Sequence, residues 1–148
     1  MVNNNTYWMI VTESDNFKIT KEKNFDIQGI DFPNRKKAQR MIKNDRILYY
    51  VKESRSFFAT ATVLSDYFED DSKIWVHHNP DEKFIYRVNL ESNIVVEEGI
   101  DAKYLAPSME YVKKWPPEMW EMAFFGMLHI IPQKDFRHIE SELSRSKQ

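Results

Sequence analysis

Two runs of β-branched and aromatic residues, separated by a short polar break, constrain the fold of this chain more than any other feature. The first run covers residues 43–51 and the second covers residues 57–64, with the charged stretch 52–56 between them. This composition predicts two β-strands joined by a short basic loop. A hairpin of this length exposes unpaired edges, and closure into a small barrel is one way to remove them.

The remaining apolar runs are interpreted as shorter elements wrapped around this hairpin. Strands are predicted over residues 6–12, 25–30, 83–90, 94–97 and 124–131, the third and fourth separated by a turn at 91–93. Helices are predicted over residues 14–23, 35–43 and 101–106 and after Pro132, with N-caps at Ser14 or Asp15, at Asn34 and at Asp101. No internal repeat or linker interrupts the pattern, so residues 1–148 are expected to form one α+β domain.

Composition excludes several classes of site. The absence of cysteine excludes disulfides, thiolate metal sites and cysteine catalysis, and it indicates a cytoplasmic location. Only three glycines occur, so neither type of Gly-rich phosphate loop is present. No apolar run is long enough to cross a bilayer, and the first residues lack the features of a signal peptide. We therefore expect no membrane partner.

Charge is segregated along the chain although the net charge is only −2. Residues 33–60 contain eight basic and two acidic side chains, whereas residues 66–101 contain ten acidic and three basic ones. A basic stretch on a near-neutral chain can meet phosphate groups. It can equally be an ordinary solvated helix face, and the sequence leaves both readings open.

Several segments of the chain, in this order, resemble the EVE domain of the PUA-like superfamily. The order and spacing of these segments carry the resemblance, and no single motif is specific alone. It extends over essentially the whole chain. The segments are residues 7–10, Gly29-Ile30 ahead of the basic helix, residues 43–50, 58–63 and 86–88, and the closing residues 120–126 and 132–136.

The resemblance implies a PUA-like mixed β pseudo-barrel flanked by short helices that plug its ends. Relatives of this family include YTH domains, which read methylated adenine in RNA, and EVE proteins linked to modified cytosine in DNA. It therefore implies a non-enzymatic domain that binds DNA or RNA carrying a modified base. The particular base, the choice between DNA and RNA and the oligomeric state stay open.

Carried over by position, the resemblance also implies a base-binding pocket. Its residues are Val11, Thr12 and Glu13 after the first strand, Gln28, Gly29 and Ile30 before the basic helix, and Trp75 after the hairpin. Gln28 stands where many relatives have a tryptophan wall, which puts an aromatic cage in doubt. Its amide offers a paired donor and acceptor for a base edge instead. Trp75 is either a second aromatic wall or a core residue.

Five basic side chains are candidates for contacts with backbone phosphates. They are Lys36, Lys37, Arg40, Lys52 and Arg55. Such contacts would position a nucleic-acid strand without reading its sequence. Glu13 is a candidate for accepting a hydrogen bond from the exocyclic amine of cytosine or adenine.

Catalytic and metal-binding patterns are weak in this sequence. His77 and His78 are adjacent and would point to opposite faces of a strand, and no third ligand follows at a recognisable spacing. We therefore expect no metal ion and no other cofactor. Neither a Ser-centred elbow nor an HExxH motif is present, so we do not expect an enzyme.

Two further hypotheses belong to other functional classes. The first is a small-molecule or nucleotide hydrolase that uses Glu13, which would need a second polar group facing that carboxylate across a cleft. The second is a protein-interaction module in which the acidic residues 66–101 dock a basic partner.

Overall fold

The computed structural model describes residues 5–147, which form one curled sheet with short helices around it. The strands are β1 Tyr7–Thr12, β2 Ile27–Ile30, β3 Arg46–Val51, β4 Ser56–Val63, β5 Phe68–Glu69, β6 Tyr86–Asp101 and β7 Leu128–Ile130. The α-helices are α1 Ser14–Glu22, α2 Arg35–Ala38, α3 Ala102–Leu105 and α4 Gln133–Lys147. Turns of 3-10 helix cover Phe32–Asn34, Ala106–Ser108, Val112–Lys114 and Pro117–Phe124. The predicted α+β class is confirmed.

The sheet has the strand order β2-β6-β4-β3-β1-β7, and β5 also pairs with β6. Only the β1–β3 pair is parallel among the strand pairs of residues 5–147. Because these two strands run in the same direction, they end side by side, with Thr12 opposite Val51. The residues that follow them, Glu13 and Lys52, are therefore neighbours at the same edge of the sheet.

The predicted hairpin is confirmed as the antiparallel pair β3 and β4. Its register shifts between Tyr49 and Tyr50, which marks a bulge that increases the local twist. The connecting loop ends at Arg55, whose φ of 53° lies in the left-handed region. Residues 47–51 are all buried, because β3 lies between β1 and β4 and is covered on both faces.

Two apolar clusters lie on opposite faces of the sheet. On one face, α4 packs Phe136, Ile139 and Leu143 against the sheet, and all three are fully buried. On the other face, Phe17 of α1 packs against Tyr49 of β3. Burying a side chain of this size stabilises the fold by about 1.5–3 kcal/mol.

The turn predicted at residues 91–93 is wrong, because β6 runs without interruption for 16 residues. Glu91 and Ser92 remain in register with Thr62 and Ala61 of β4. Two register shifts between β4 and β6 bend the ladder instead of breaking it. Polar residues at these positions face solvent from within a strand rather than form a loop.

The helix predicted over residues 35–43 is much shorter, since α2 ends at Ala38. The chain turns there and inserts Met41 into the core. Asn44 has a φ of 77° and lies just before β3, which begins at Arg46. Asn34 makes no side-chain cap for α2, and Asp31 instead caps the preceding 3-10 turn by accepting from the Asn34 N–H. Asn34 thus occupies the predicted N-cap position of α2 without capping the helix through its side chain.

The other helix caps have different outcomes. Glu13, rather than Ser14 or Asp15, occupies the N-cap position of α1, and the Ser14 hydroxyl donates to Glu53. The Asp101 cap is confirmed, since its carboxylate accepts from the Lys103 N–H. The predicted last strand is shorter than expected, because only residues 128–130 pair with β1.

Among residues 5–147 no helix is long and apolar enough to span a bilayer. The residues examined for a signal peptide lie in part outside this range.

Candidate functional site

A pocket of about 110 Å³ opens at the carboxyl end of β1, where β1 and β3 end side by side. Backbone hydrogen bonds assemble its edges, because the Val11 N–H donates to the Met127 carbonyl and the Lys52 N–H donates to the Thr12 carbonyl. The lining residues are Val11, Thr12, Glu13, Asn16, Asp31, Lys52, His78, Glu82, Phe84, Gly126 and Met127. The pocket therefore combines the sheet edge, the start of α1 and two loops.

Asn16 holds one of these loops against the first turn of α1. Its buried amide donates from Nδ2 to the Val76 carbonyl at 3.0 Å and accepts from the Val76 N–H at 2.7 Å. This paired contact joins residues that are 60 positions apart in the chain. It brings the loop containing His78 over the pocket, and the Phe32 N–H fastens the end of the same loop by donating to the Asp81 carbonyl.

His78 lies at the centre of a group of carboxylates. Its Nε2 is 3.0 Å from Oε2 of Glu13 and 2.9 Å from Oδ2 of Asp15. Its Nδ1 is 3.1 Å from Oε1 of Glu82. An imidazole that faces carboxylate oxygens at both nitrogens is well placed to carry its second proton or to share a cation with them.

The electrostatics of the pocket reflect this crowding of negative charge. Partial burial opposes the charged form of His78, but hydrogen bonds to Asp15 and Glu82 and the charge of Glu13 raise the pKa above its usual value. Burial raises the pKa of Asp31, and Glu82 is among the acidic neighbours that add to this shift against the hydrogen bonds from Asn34.

A single lysine approaches these groups at the pocket edge. Lys52 lies with its Nζ 3.7 Å from Oε1 of Glu13, and its side chain is half exposed. This separation is longer than a good hydrogen bond, so the contact is a loose ion pair. The pocket is therefore acidic, with the loosely paired Lys52 side chain at its edge.

Phe84 forms an apolar wall of the pocket and has an unusual backbone conformation. Its φ is 53°, which is rare for a bulky residue and concentrates at functional sites. Its carbonyl accepts from Nε of Arg87, a guanidinium that is 0% exposed. Arg87 also donates to the Ser72 hydroxyl at 2.8 Å and to the Ser72 carbonyl. This buried arginine fastens the loop that leads to Trp75.

Four buried residues do not line the pocket, namely Gln28, Gly29, Ile30 and Trp75, and the Trp75 ring packs against that of Phe84. The Gln28 side chain is committed within the protein, because Nε2 donates to the Gly29 carbonyl and Oε1 accepts from the Tyr49 hydroxyl, both at 2.8 Å. Their contact with a base stays a prediction.

Trp75 occupies the space above Gly29. A Cβ on Gly29 would lie 2.6 Å from the Trp75 ring and 2.5 Å from the Phe84 carbonyl oxygen. The indole is only 2% exposed, and its Nε1–H donates to the Thr20 hydroxyl at 2.9 Å. Of the two roles expected for Trp75, the structure thus shows core packing.

The five basic candidates have different surroundings. Lys52 lines the pocket, Lys37 donates to the Leu128 carbonyl at 3.0 Å, and Arg55 pairs with Glu121 at 2.9 Å. Lys36 and Arg40 are exposed.

Four residues in or beside the pocket were not predicted as site residues from the sequence, namely His78, Glu82, Asp15 and Asn16. One ring nitrogen of His78 and one oxygen each of Glu13 and Glu82 lie within 4.8 Å of one another, a group found among the described residues. The local signal was the His78–Glu82 spacing of four residues around Asn79-Pro80, which folds as a turn rather than a strand. Glu13 and Asp15 belong to a distant segment of the chain, so the spacing of residues near His78 does not indicate that they lie beside it.

Comparisons with known proteins place this geometry in a family. The family model described as the EVE domain matches residues 6–142. A UPF0310 protein from Pyrococcus abyssi (strain GE5 / Orsay) is 30% identical over 149 residues, which cover 93% of this chain and 99% of that protein.

Solved structures share the fold at low sequence identity. A hypothetical protein from Leishmania major has a TM-score of 0.66 at 13% identity, over 98% of each chain. The YTH domain of Zygosaccharomyces rouxii MRB1, solved in complex with N6-methyladenosine RNA, has a TM-score of 0.66 at 14% identity, over 96% of this chain and 86% of that one. The Pho92 YTH domain in complex with m6A has a TM-score of 0.67 at 16% identity, over 97% and 85%. The half-barrel sheet is thus the PUA-like fold that YTH domains share, and the family match over residues 6–142 shows that this chain belongs to the EVE domain family.

Proposed function

We propose that this protein is a non-enzymatic nucleic-acid-binding domain that accommodates a modified base in the pocket at the end of β1. The observation that supports this most is the pocket itself, which Val11, Thr12, Glu13 and Lys52 line on a fold shared with YTH domains solved in complex with methylated RNA. The proposal covers methylated or otherwise modified cytosine or adenine, in DNA or RNA. A base held in such a pocket must first leave its stack.

Recognition would divide between an apolar wall and a polar edge. The Phe84 ring offers a surface against which a base can pack, and base–aromatic stacking contributes about 1–3 kcal/mol. Glu13 is placed to accept from an exocyclic amine, and Thr12 offers a hydroxyl at the same edge. An acidic edge favours bases that present donors and disfavours those that present only acceptors.

Phosphate groups would stay outside this acidic pocket. Lys52 at the edge is the candidate for the phosphate beside the flipped base, and Lys36, Lys37, Arg40 and Arg55 are candidates for more distant ones. Lys37 and Arg55 would have to leave their present partners, Leu128 and Glu121.

The proposed support for Phe84 is a packed group of four residues, Gln28, Gly29, Ile30 and Trp75. Reading of a base edge by Gln28 would require its two internal hydrogen bonds to break. We therefore assign base reading to Thr12 and Glu13 first.

A binding panel tests this function. Single strands and duplexes that carry modified cytosines or adenines would be compared with unmodified strands of the same sequence, at two salt concentrations. We expect a preference for one modified base, lost in Glu13→Gln and retained in Glu98→Gln, an exposed carboxylate on β6. No preference for any modified base together with no salt dependence would overturn the proposal.

A hydrolase is the second candidate, and one observation favours it. Glu13 has a second polar group beside it, since His78 Nε2 lies 3.0 Å from its Oε2, which is direct contact rather than a position across a cleft. Turnover on nucleoside and nucleotide panels that disappears in Glu13→Gln would support this function.

The cytoplasmic location remains a prediction.

A further inference from the structure

We propose that Glu13, His78 and Glu82 form a binding site for a divalent transition-metal ion at the edge of the pocket. The inference goes beyond the proposed function and does not rest on it, because the ion would bind the free protein. It also reverses the expectation from the sequence that no metal is bound.

The first argument is the combination and spacing of the ligand atoms. One imidazole nitrogen and two carboxylate oxygens lie within 4.8 Å of one another, and the Nδ1–Oε1 distance from His78 to Glu82 is 3.1 Å. Two ligands bonded to one ion at about 2.0–2.2 Å lie about 3 Å apart when they are neighbours in its coordination shell. The His78–Glu82 pair already has that spacing at Nδ1, whereas Glu13 contacts Nε2 of the same ring at 3.0 Å and would have to swing to the Nδ1 side to complete the site.

Asp15 supplies the second argument, because it completes the outer arrangement that metal-bound histidines usually have. Its Oδ2 lies 2.9 Å from Nε2 of His78, and its Oδ1 accepts from the Asn16 N–H. A carboxylate that holds one ring nitrogen fixes the imidazole orientation and directs the other nitrogen toward the ion. Nδ1 of His78 is therefore the nitrogen assigned to the metal.

The charge of the pocket independently favours a cation. Four carboxylates, those of Glu13, Asp15, Asp31 and Glu82, lie around this edge against Lys52 and His78. An ion would offset this excess and would also make the pocket less repulsive to a phosphate-bearing ligand. The adjoining space of about 110 Å³ leaves room for water or a ligand at the open coordination positions.

The donor set restricts the class of metal. Carboxylates alone suit Mg²⁺ or Ca²⁺, whereas an imidazole beside carboxylates suits Mn²⁺, Fe²⁺ or Zn²⁺. With three protein ligands and open positions, the site resembles catalytic metal sites in coordination more than closed structural ones.

Calorimetric titration of the full chain with MnCl₂ or ZnCl₂ alone tests the site. We expect one ion per chain, with affinity at least about tenfold weaker in Glu13→Gln, His78→Gln and Glu82→Gln. Asp15→Asn should weaken binding by about 10–100-fold through the outer contact. His138→Gln on α4 and Asp81→Asn in the same loop are matched controls that should bind as the wild type does. Absence of binding, or equal losses in controls and ligand variants, would overturn the proposal.

A measurement on the unaltered protein covers the case in which a variant fails to fold. Mn²⁺ broadens nuclear resonances close to it, so substoichiometric Mn²⁺ should broaden the ring signals of His78 before those of His138. Equal broadening of both rings would contradict the site. No nucleic acid is present in either metal-binding experiment, and the base-binding panel would be run with a chelator. Failure of metal binding is therefore distinguishable from failure of base binding.

Discussion

At the scale of single residues, the position of Phe84 in the pocket wall depends on residues that do not line the pocket. Trp75, Gly29 and Arg87 set the position of Phe84, and each has a contact that a substitution would remove or obstruct. The indole of Trp75 also lies over the Arg87 guanidinium, with the ring centre 5.2 Å from its central carbon. This packed group explains why a bulky residue can hold a left-handed backbone conformation at position 84.

Gly29→Ala should destabilise the protein by about 1–3 kcal/mol, which is the usual range for overpacking. The new methyl group would overlap the Phe84 carbonyl and the Trp75 ring, and neither can move far because both are buried. Urea unfolding measures the change, with Asn89→Ala at an exposed position of β6 as the control. An unchanged midpoint in Gly29→Ala would show that the space above Gly29 is looser than described.

His129 should make stability depend on pH. Burial lowers the pKa of this histidine, the charge of Lys37 adds to that effect, and the hydrogen bond to the Gly126 carbonyl partly opposes it. As pH falls through the ordinary histidine pKa of about 6.5, the unfolded chain takes up a proton that the folded chain refuses. The stabilisation is therefore present above that pH and declines below it, down to the folded-state pKa.

Unfolding free energies at about pH 7.5 and about pH 5.5 check this sign. The wild type should lose more stability between them than His129→Gln does. His138→Gln, at an exposed histidine, should lose as much as the wild type. A steeper loss in His129→Gln would contradict the depressed pKa.

At the scale of elements, the contact between α1 and the loop of residues 76–82 assembles the pocket. The Asn16 amide makes that contact with both its donor and its acceptor. Because the loop contains no regular secondary structure, few other backbone bonds compensate for its loss.

Asn16→Ala should therefore loosen the loop without unfolding the domain. We expect faster amide hydrogen exchange at Val76 and His78, whereas Ile139 in the middle of α4 keeps its wild-type rate. Mass spectrometry of deuterium uptake resolves the two regions. Unchanged exchange in the loop would mean that other contacts hold it in place.

Elements with a strong local pattern could be predicted from the sequence, and elements decided by distant contacts could not. The hairpin and α4 carry long periodic apolar patterns, and both are confirmed. The β6 strand was divided wrongly, because a polar run inside a strand looks like a turn until its partner is known. Likewise α2 ends early because Met41 enters the core, a tertiary effect that overrides helical propensity.

The candidate site divides in the same way. The resemblance to the EVE domain implied Val11, Thr12 and Glu13 as pocket residues, and they do line the pocket. His78 and Glu82 could not be predicted, because their approach to Glu13 depends on the fold and not on local spacing.

At the scale of the whole molecule, the segregated charges of the sequence meet at the pocket. The basic stretch supplies Lys52 to its edge, and the acidic stretch supplies Glu82. Under the proposed function, this arrangement would separate attraction to phosphates, outside the pocket, from selection of a base within it.

Lys36→Ala and Lys52→Ala should accordingly weaken nucleic-acid binding without changing the choice of base. Each removed phosphate contact should lower the steepness of the logarithmic salt dependence by about one unit. Lys73→Ala, an exposed lysine within the acidic stretch, is the control and should bind as the wild type does. If Lys52→Ala instead abolished the preference for a modified base, Lys52 would belong to base reading.

The pocket at the end of β1 is proposed to hold the modified base. Nuclear magnetic resonance can test this by comparing the amide shifts that a modified and an unmodified oligonucleotide of the same sequence produce. We expect the differences between the two to be concentrated at Thr12, Glu13 and Phe84, and we expect both oligonucleotides to shift basic residues alike. Identical shifts from the two oligonucleotides, or differences confined to another surface, would contradict it.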